Sequence, residues 1–373
     1  MKELPPLFKV FTRPDQVQKI KRRSLLFSAA YGLIVATTLI SCSGAPTNTA
    51  TNSPDNKSVA TNSPNSGEKK VIRVVRSKQL GGLAVLEKKE LLAKALQPLG
   101  YEVKWAEFAA GPQALEALNA KGLDIAYTAE SPPVFYQAAG NELIFIGATA
   151  SNGKGISLLV PKDSPVKSIQ DLKGKKIAFQ KASIGHYLAV RAFENAGLTI
   201  NDFESVFLPP PDAAAAFSQG SLAGWFVWDP FVPRTEASGA GRVLFDGEKL
   251  RDTRNFISTR RDYYTDNKEA IKIFLSEYEK AEKWIQDNPK EAAELLTDVS
   301  KIDVPTLLKM HPKYQYGLRP FSQEIIDEQE RVADFWFRLK LIPKRPDVKK
   351  GFLTPEEYAS FTPSEVLALA KKP

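Results

Sequence analysis

The 373-residue chain contains one cysteine, Cys42, and only two histidines, His186 and His311. A single cysteine excludes an intrachain disulfide, and two isolated histidines make no convincing metal site. Zinc-finger spacings, an arginine stripe and the basic-aromatic signatures of nucleic-acid binders are absent, so no nucleic acid is expected as a partner. Neither a glycine-rich phosphate loop nor a Ser/His/Asp spacing occurs. The sequence therefore points to a protein with no metal, no cofactor and no catalytic step. Long apolar runs are also lacking: the stretch from Leu25 to Ile40 falls short of the ~20 residues that a spanning helix needs. Surplus charge is scarce once the N-terminus is set aside. The whole chain carries +8, but its first 41 residues hold seven Lys/Arg against two Asp/Glu, which leaves about +3 on the rest. Such a mild excess tolerates an anionic small molecule and is too diffuse for a polyanion.

What is present begins with an export signal. Lys19, Lys21, Arg22 and Arg23 precede the apolar stretch, and small residues follow before Cys42. Leu39-Ile40-Ser41-Cys42 resembles a bacterial lipobox, in which the cysteine is lipidated and becomes the new N-terminus. A plain signal peptide with an incidental cysteine, or an uncleaved anchor, is the alternative. Arg22-Arg23 before Ser24-Leu25-Leu26 is similar to a twin-arginine signal and equally to an ordinary basic region, so the export route stays open. Residues 1–41 are read as signal peptide. Residues 42–70, rich in Thr, Asn, Ser and Pro with Thr-Asn-Ser-Pro occurring twice, are read as a flexible tether.

Order starts abruptly at the β-branched run Val71–Val75. A helix is expected over 83–99, strands at Tyr101–Trp105 and Asp124–Ala126, helices over 113–121 and from near Pro133, then strands at 143–148 and 157–160. A second series repeats the alternation: strand Ile177–Phe179, helix 185–195, strand 206–208, helix 213–219, strand Trp225–Trp228, strand 242–245. Helices follow over 268–287, 290–297, 304–313 and 322–339. The alternation predicts an α/β protein with largely parallel sheets and two lobes: 71–161 as the first part of lobe I, 162–250 as lobe II, and 251–373 as the rest of lobe I with C-terminal helices. Ligands in such folds bind beyond strand C-termini, where helix N-termini converge. The ends of interest are Lys78–Gly82, Thr128–Pro132, Lys181–His186, Pro209–Asp212 and Trp228–Pro230. Trp225 and Trp228 face opposite sides of one strand, so Trp225 is assigned to the core and Trp228 to the pocket.

Several segments carry a family resemblance. Gly111–Asn119, the Pro-Pro turn Ser131-Pro132-Pro133 with its helix, Asp171-Leu172-Lys173-Gly174, Trp225–Phe231 and Leu341–Lys344 occur in the order seen in the aliphatic sulfonate-binding proteins of bacterial ABC importers. The chain resembles that family over about residues 71–350. The resemblance implies a type II periplasmic-binding-protein fold, with two α/β lobes around a central ligand cleft. Matching positions imply ligand contacts from Lys78, Gln79, Glu130, Ser131, Ser183, His186, Trp228 and Asp229. His186 reads equally as a packed structural histidine, Asp229 as a turn cap, and Glu130 as a partner for an amino group or a solvent-facing residue. Departures occur as well: Ala182-Ser183-Ile184-Gly185 where the family commonly has several serines, Ala129-Glu130-Ser131 where it often has Gly-Asp, and Ala214 where it often has an arginine.

The implied function is capture of a sulfonate and delivery to an ABC permease with its ATPase. The protein would act as a monomer, moored by Cys42 to the periplasmic face of the bacterial cytoplasmic membrane. Related binding proteins take nitrate, bicarbonate or a thiamine-precursor pyrimidine, which stand as alternative cargoes. The fold also hosts desulfination by a cysteine nucleophile, but here the sole cysteine lies in the lipobox.

Overall fold

The structure is a computed structural model and describes residues 70–249 and 253–369. The signal segment, Cys42 and the tether as far as residue 69 lie outside the described residues, and Lys70, assigned to the tether, already belongs to the first strand. Eleven strands occur among them: β1 Lys70–Val75, β2 Tyr101–Ala106, β3 Ala126–Ala129, β4 Ile144–Ser151, β5 Ile156–Pro161, β6 Lys176–Phe179, β7 Glu204–Phe207, β8 Gly224–Trp228, β9 Gly241–Asp246, β10 Arg254–Thr259 and β11 Leu318–Arg319. One sheet orders them β11-β4-β10-β3, and a bridge from Val74 to Ile125 joins the parallel pair β1-β2 to its β3 edge. The other sheet runs β7-β6-β8-β5-β9.

Two α/β lobes are thus present, but the sheets are not largely parallel. Five of eight strand pairings are antiparallel. The reason is the pair of crossovers. Strand β10 returns from the second lobe and inserts between β3 and β4 against their direction, while β5 arrives from the first lobe and does the same between β8 and β9. Strand β5 therefore belongs to the second sheet, whereas the expected boundary at 161 placed it with the first lobe. Strand β10 itself lacks the alternation of a half-buried strand, because all six of its residues are buried.

Among the described residues, fourteen α-helices accompany the strands. In chain order the first seven are α1 Gly82–Lys88, α2 Leu91–Leu96, α3 Gly111–Asn119, α4 Ser131–Ala138, α5 Ile184–Asn195, α6 Pro210–Ser218 and α7 Phe231–Ala237. The single helix expected over 83–99 is two, because Glu90 adopts a left-handed conformation at φ 56° and turns the chain between α1 and α2. The remainder are α8 Arg261–Asp266, α9 Lys268–Asp287, α10 Pro289–Ser300, α11 Val304–Met310, α12 Gln323–Arg338, α13 Pro355–Ala359 and α14 Ser364–Leu369. No helix among the described residues is long and apolar enough to cross a membrane.

Two of these helices fix the site. Helix α9 buries Ile271, Phe274, Leu275, Tyr278 and Glu282, a stripe at three- and four-residue spacing that packs on α1. Helix α12, capped by Ser322 onto the Ile325 amide, buries Val332, Ala333, Phe335 and Trp336. Its apolar face joins one cluster with Val134 of α4 in the first lobe and Tyr187 and Leu188 of α5 in the second. A C-terminal helix thus bridges the backs of both lobes.

Candidate ligand-binding site

Between the strand ends of the two sheets lies a cavity of about 410 Å³. All five strand-end segments singled out in the sequence reach it, through Lys78–Gly82, Thr128, Ser183, Pro211 and Trp228–Pro230. The N-terminal ends of α3, α5 and α6 open on it through Gly111, Ile184 and Pro211. The free N–H groups at the starts of α3 and α5 give that wall a positive potential, whereas α6 begins Pro209-Pro210-Pro211 and presents no N–H at those positions. Gly111 is required by close packing: a Cβ there would meet Cγ of Pro132 at 2.8 Å.

The expected contact residues divide into two groups. Lys78, Gln79, Ser183, Trp228 and Asp229 line the cavity. The Lys78 ammonium is half-exposed and ion-paired with Glu107, so it stands at the rim. Gln79 reaches across the cleft, its Nε2 donating to the Asp229 carbonyl at 3.2 Å. Ser183 caps α5: its hydroxyl accepts from the His186 amide at 3.3 Å and donates to the Gln180 carbonyl at 2.7 Å. Trp225 packs in the core against Phe217 and Phe231, while Trp228 borders the cavity.

Glu130, Ser131 and His186 are not among the residues lining the cavity. They are drawn instead beneath α12. The Ser131 hydroxyl donates to Glu130 at 2.9 Å and accepts from the Trp336 indole at 3.1 Å, and Gln329 donates to the Glu130 carbonyl at 2.8 Å. His186 stacks on Phe179 with ring centroids 4.9 Å apart and leans on Trp336. Its Nδ1 accepts from the Ala182 amide at 3.2 Å. Burial, reinforced by the Lys181 charge, drives its pKa down to about 3, so the ring is neutral. It is the packed structural histidine of the two readings. His311 accepts the same description, lying against Tyr316 with Nε2 3.2 Å from the Ile285 carbonyl.

The rest of the lining comes from residues far apart in sequence. Tyr278 of α9, Tyr314 and Tyr316 after α11, Tyr127 of β3 and Phe231 of α7 supply most of the aromatic wall, and Glu282 of α9 adds a carboxylate. Glu282 is buried, and burial raises its pKa; its oxygens accept from the amides of Gly82 at 2.6 Å and Gly317 at 3.2 Å. Asp229 is buried too. Its Oδ2 accepts from the Tyr314 phenol, yet desolvation outweighs that bond and pushes its pKa up to about 6.

Arg234, in the last turn of the short helix α7, contributes a cation that no family motif had indicated. Its Nε donates to the Ser300 carbonyl, while Nη2 is buried with no hydrogen-bond partner. Burial lowers its pKa from the ordinary value. Position 214, where the resemblance leads one to expect an arginine, holds alanine. The signal available in the sequence was the charge itself, one turn after Trp-Asp-Pro-Phe at a strand end. Among the described residues no cluster of three or more His, Cys, Asp or Glu is placed to hold a metal.

Comparison with known proteins places this geometry in context. Residues 72–299 match the NMT1-like family. An aliphatic sulfonates-binding protein of Escherichia coli is 33% identical over 287 residues, covering 77% of this chain and 89% of its own. The alkanesulfonate-binding protein of Xanthomonas axonopodis bound to MOPS superposes with a TM-score of 0.73 at 30% identity, over 77% of this chain and 99% of that one. The periplasmic aliphatic sulphonate binding protein of Escherichia coli gives 0.68 at 32% identity, over 78% and 100%.

Proposed function

The chain belongs to the NMT1-like family, alongside the aliphatic sulfonate-binding proteins, and from that footing we propose that it is the substrate-binding component of an ABC importer, capturing aliphatic sulfonates for a membrane permease. The observation that carries this reading is the unpartnered Nη2 of Arg234, a residue of a cavity with aromatic walls. A sulfonate needs several N–H donors in fixed positions and a positive potential, and its alkyl part needs apolar contact. The helix ends and Arg234 supply the first, Trp228, Phe231 and the tyrosines the second. A cavity of about 410 Å³ suits a small molecule of this kind.

Contacts that cross between the lobes, from Gln79 to Asp229 and from Tyr314 to Asp229, fit a closed state. In that mechanism ligand binding shifts the population from open to closed lobes, and the closed form is what the permease reads. Lys78 at the rim would draw an anion inward. Ser183, occupied as a cap, would act through the amides it positions and not through its own hydroxyl. No catalytic step is part of this reading: the sole cysteine is remote in sequence and the cavity lining contains none. Lipidation of Cys42 would moor the lobes outside the cytoplasmic membrane, near the permease; Cys42→Ala should release the exported protein into the soluble fraction.

Titration calorimetry tests the main claim. Alkanesulfonates of two to eight carbons should bind and sulfate should not compete at equal concentration. Failure of every sulfonate to bind at millimolar concentration sinks the reading.

A further inference from the structure

Five residues that line the cavity each hold a buried polar atom with no hydrogen-bond partner: Oγ1 of Thr128, Oδ1 of Asn152, Oδ1 of Asp229, Nη2 of Arg234 and the Tyr316 hydroxyl. Folded proteins leave few such groups, because each one stranded away from water costs free energy. The cavity is the space these five residues share, and their chemistry is uneven. Arg234 is the cation among them, and a sulfonate matches it. The other four atoms are oxygens. Those of Asn152 and ionised Asp229 can only accept, while the hydroxyls of Thr128 and Tyr316 both donate and accept. They also come from separate segments: Thr128 from β3, Asn152 from the crossover after β4, Asp229 from the end of β8 and Tyr316 from the stretch after α11.

We propose that the ligand is a polyhydroxylated sulfonate, a sulfonated sugar or a shorter sulfonated polyol, with Arg234 holding the sulfonate and the four orphan oxygens holding its hydroxyls. The inference rests on the sulfonate reading above and deepens it by naming what the rest of the ligand carries. A plain alkyl chain would satisfy Arg234 and leave four oxygens buried against hydrocarbon, the costly arrangement for polar groups. A ligand with one donor centre matches one segment and strands the others. Hydroxyls on successive carbons donate to Asn152 and Asp229 and exchange donor and acceptor roles with Thr128 and Tyr316. A site built to hydrogen-bond hydroxyls discriminates strongly against an analogue lacking them, since its own buried groups are then left unpaired. The aromatic wall fits the same ligand: the C–H faces of a polyol or sugar ring are apolar, and Trp228, Tyr127 and Tyr278 offer them flat contact.

Calorimetry on the full mature protein at pH 8 tests this with one matched set: propanesulfonate, 3-aminopropanesulfonate, 2,3-dihydroxypropanesulfonate and 6-deoxy-6-sulfoglucose, with glucose as the polyol that lacks an anion. At least one hydroxylated sulfonate should bind about tenfold or more above both propanesulfonate and the amino ligand, the scale of one or two hydrogen bonds to groups otherwise stranded. Glucose should not bind. Thr128→Val and Tyr316→Phe keep the side-chain shape and remove one hydroxyl each, and either should shrink that ratio several-fold. Equal affinity of hydroxylated and plain sulfonates for the wild-type protein overturns the inference and leaves the sulfonate reading intact. So does a preference that survives both substitutions, or an amino ligand that binds as tightly as the hydroxylated ones. Glucose bound as tightly as its sulfonated form, or no sulfonate bound at all, overturns both. If a variant does not fold, by circular dichroism, the wild-type comparison decides alone.

Discussion

The phenol of Tyr314 donates a hydrogen bond to Oδ2 of Asp229, tying the segment after α11 in the first lobe to the end of β8 in the second. Tyr314 also packs against Gly155 at the crossover, where an added Cβ would lie 3.0 Å from its hydroxyl. This bond therefore spans the cleft close to the hinge. Tyr314→Phe keeps the ring and removes the donor, leaving a buried carboxylate oxygen unmatched at a cost of about 1–3 kcal/mol. The expected outcome is a melting temperature lower by several degrees and, in unliganded solution scattering, a larger radius of gyration than wild type. An unchanged melting temperature would show that the bond contributes nothing to stability.

Asp229 should also leave a mark on the pH dependence of stability. Its carboxyl titrates near 6 in the folded protein and near the ordinary value of 3.8 when unfolded. The folded state thus holds the proton to higher pH, so this group's contribution is full below about pH 4, declines as pH rises towards 6 and is lost above it. Chemical denaturation of wild type and Asp229→Asn at pH 4, 5, 6 and 7 isolates it. The wild-type stability relative to the variant should fall across that range and then level off.

His186 acts with the opposite sign. Its folded pKa of about 3 lies below the ordinary 6.5, so the unfolded chain takes up the proton first. Stability from the neutral, packed ring is complete above about pH 6.5 and is lost as pH falls towards 3. In nitrogen-detected NMR the His186 ring should remain neutral down to pH 5, with the proton on Nε2 because Nδ1 accepts from Ala182. A midpoint between 6 and 7, or one that moves when ligand is added, would put His186 at the ligand instead of under α12.

How far the sequence led depended on the range of the interactions involved. The five strand-end segments that meet the cavity were legible because each is a local event: a β-branched run, a turn, then a helix start such as Ser183 before Ile184. Strand direction was not legible, since alternation within β5 or β10 says nothing about which neighbour it will pair with. The cavity's aromatic wall depends on contacts such as Glu282 to Gly82, 200 positions apart. The family resemblance implied ligand contacts from Glu130, Ser131 and His186, and none of the three lines the cavity. Trp336, some 200 positions after Ser131, took them into the packing behind the cleft.

Behind the cleft, Arg254 and Glu328 form a buried ion pair, with Nε to Oε2 at 2.7 Å and side chains 9% and 6% exposed. Arg254 also donates to the Thr149 carbonyl at 2.8 Å, so the pair couples β4, β10 and α12. Glu328→Gln removes the negative charge and leaves the guanidinium buried, a change that costs about 3–5 kcal/mol for pairs of this kind. The variant should melt well below wild type. Replacing both residues together, as Arg254→Met with Glu328→Leu, should recover much of the loss, because the desolvation penalty disappears with the charges. Equal loss in the single and double variants would mean that packing, not charge, dominates this junction.

Gly185 provides a direct test of how closely the cavity wall is built. It sits on the first turn of α5, where a Cβ would lie 2.9 Å from the backbone carbonyl oxygen of Phe226 in β8. A backbone atom in a central strand cannot swing aside as a side chain would, so Gly185→Ala must push the start of α5 away from the sheet. Its φ is not positive, and the strain is therefore one of approach and not of conformation. That displacement moves Ser183 and Ile184, both of which line the cavity. Gly185→Ala should lower stability by about 1–3 kcal/mol and weaken ligand binding, whereas Gly197→Ala, beyond the far end of α5, should spare binding, since nothing lies within 4 Å of its Cβ although its positive φ of 69° still costs stability. Equal binding by the two variants would show that the α5 start does not set the cavity's shape.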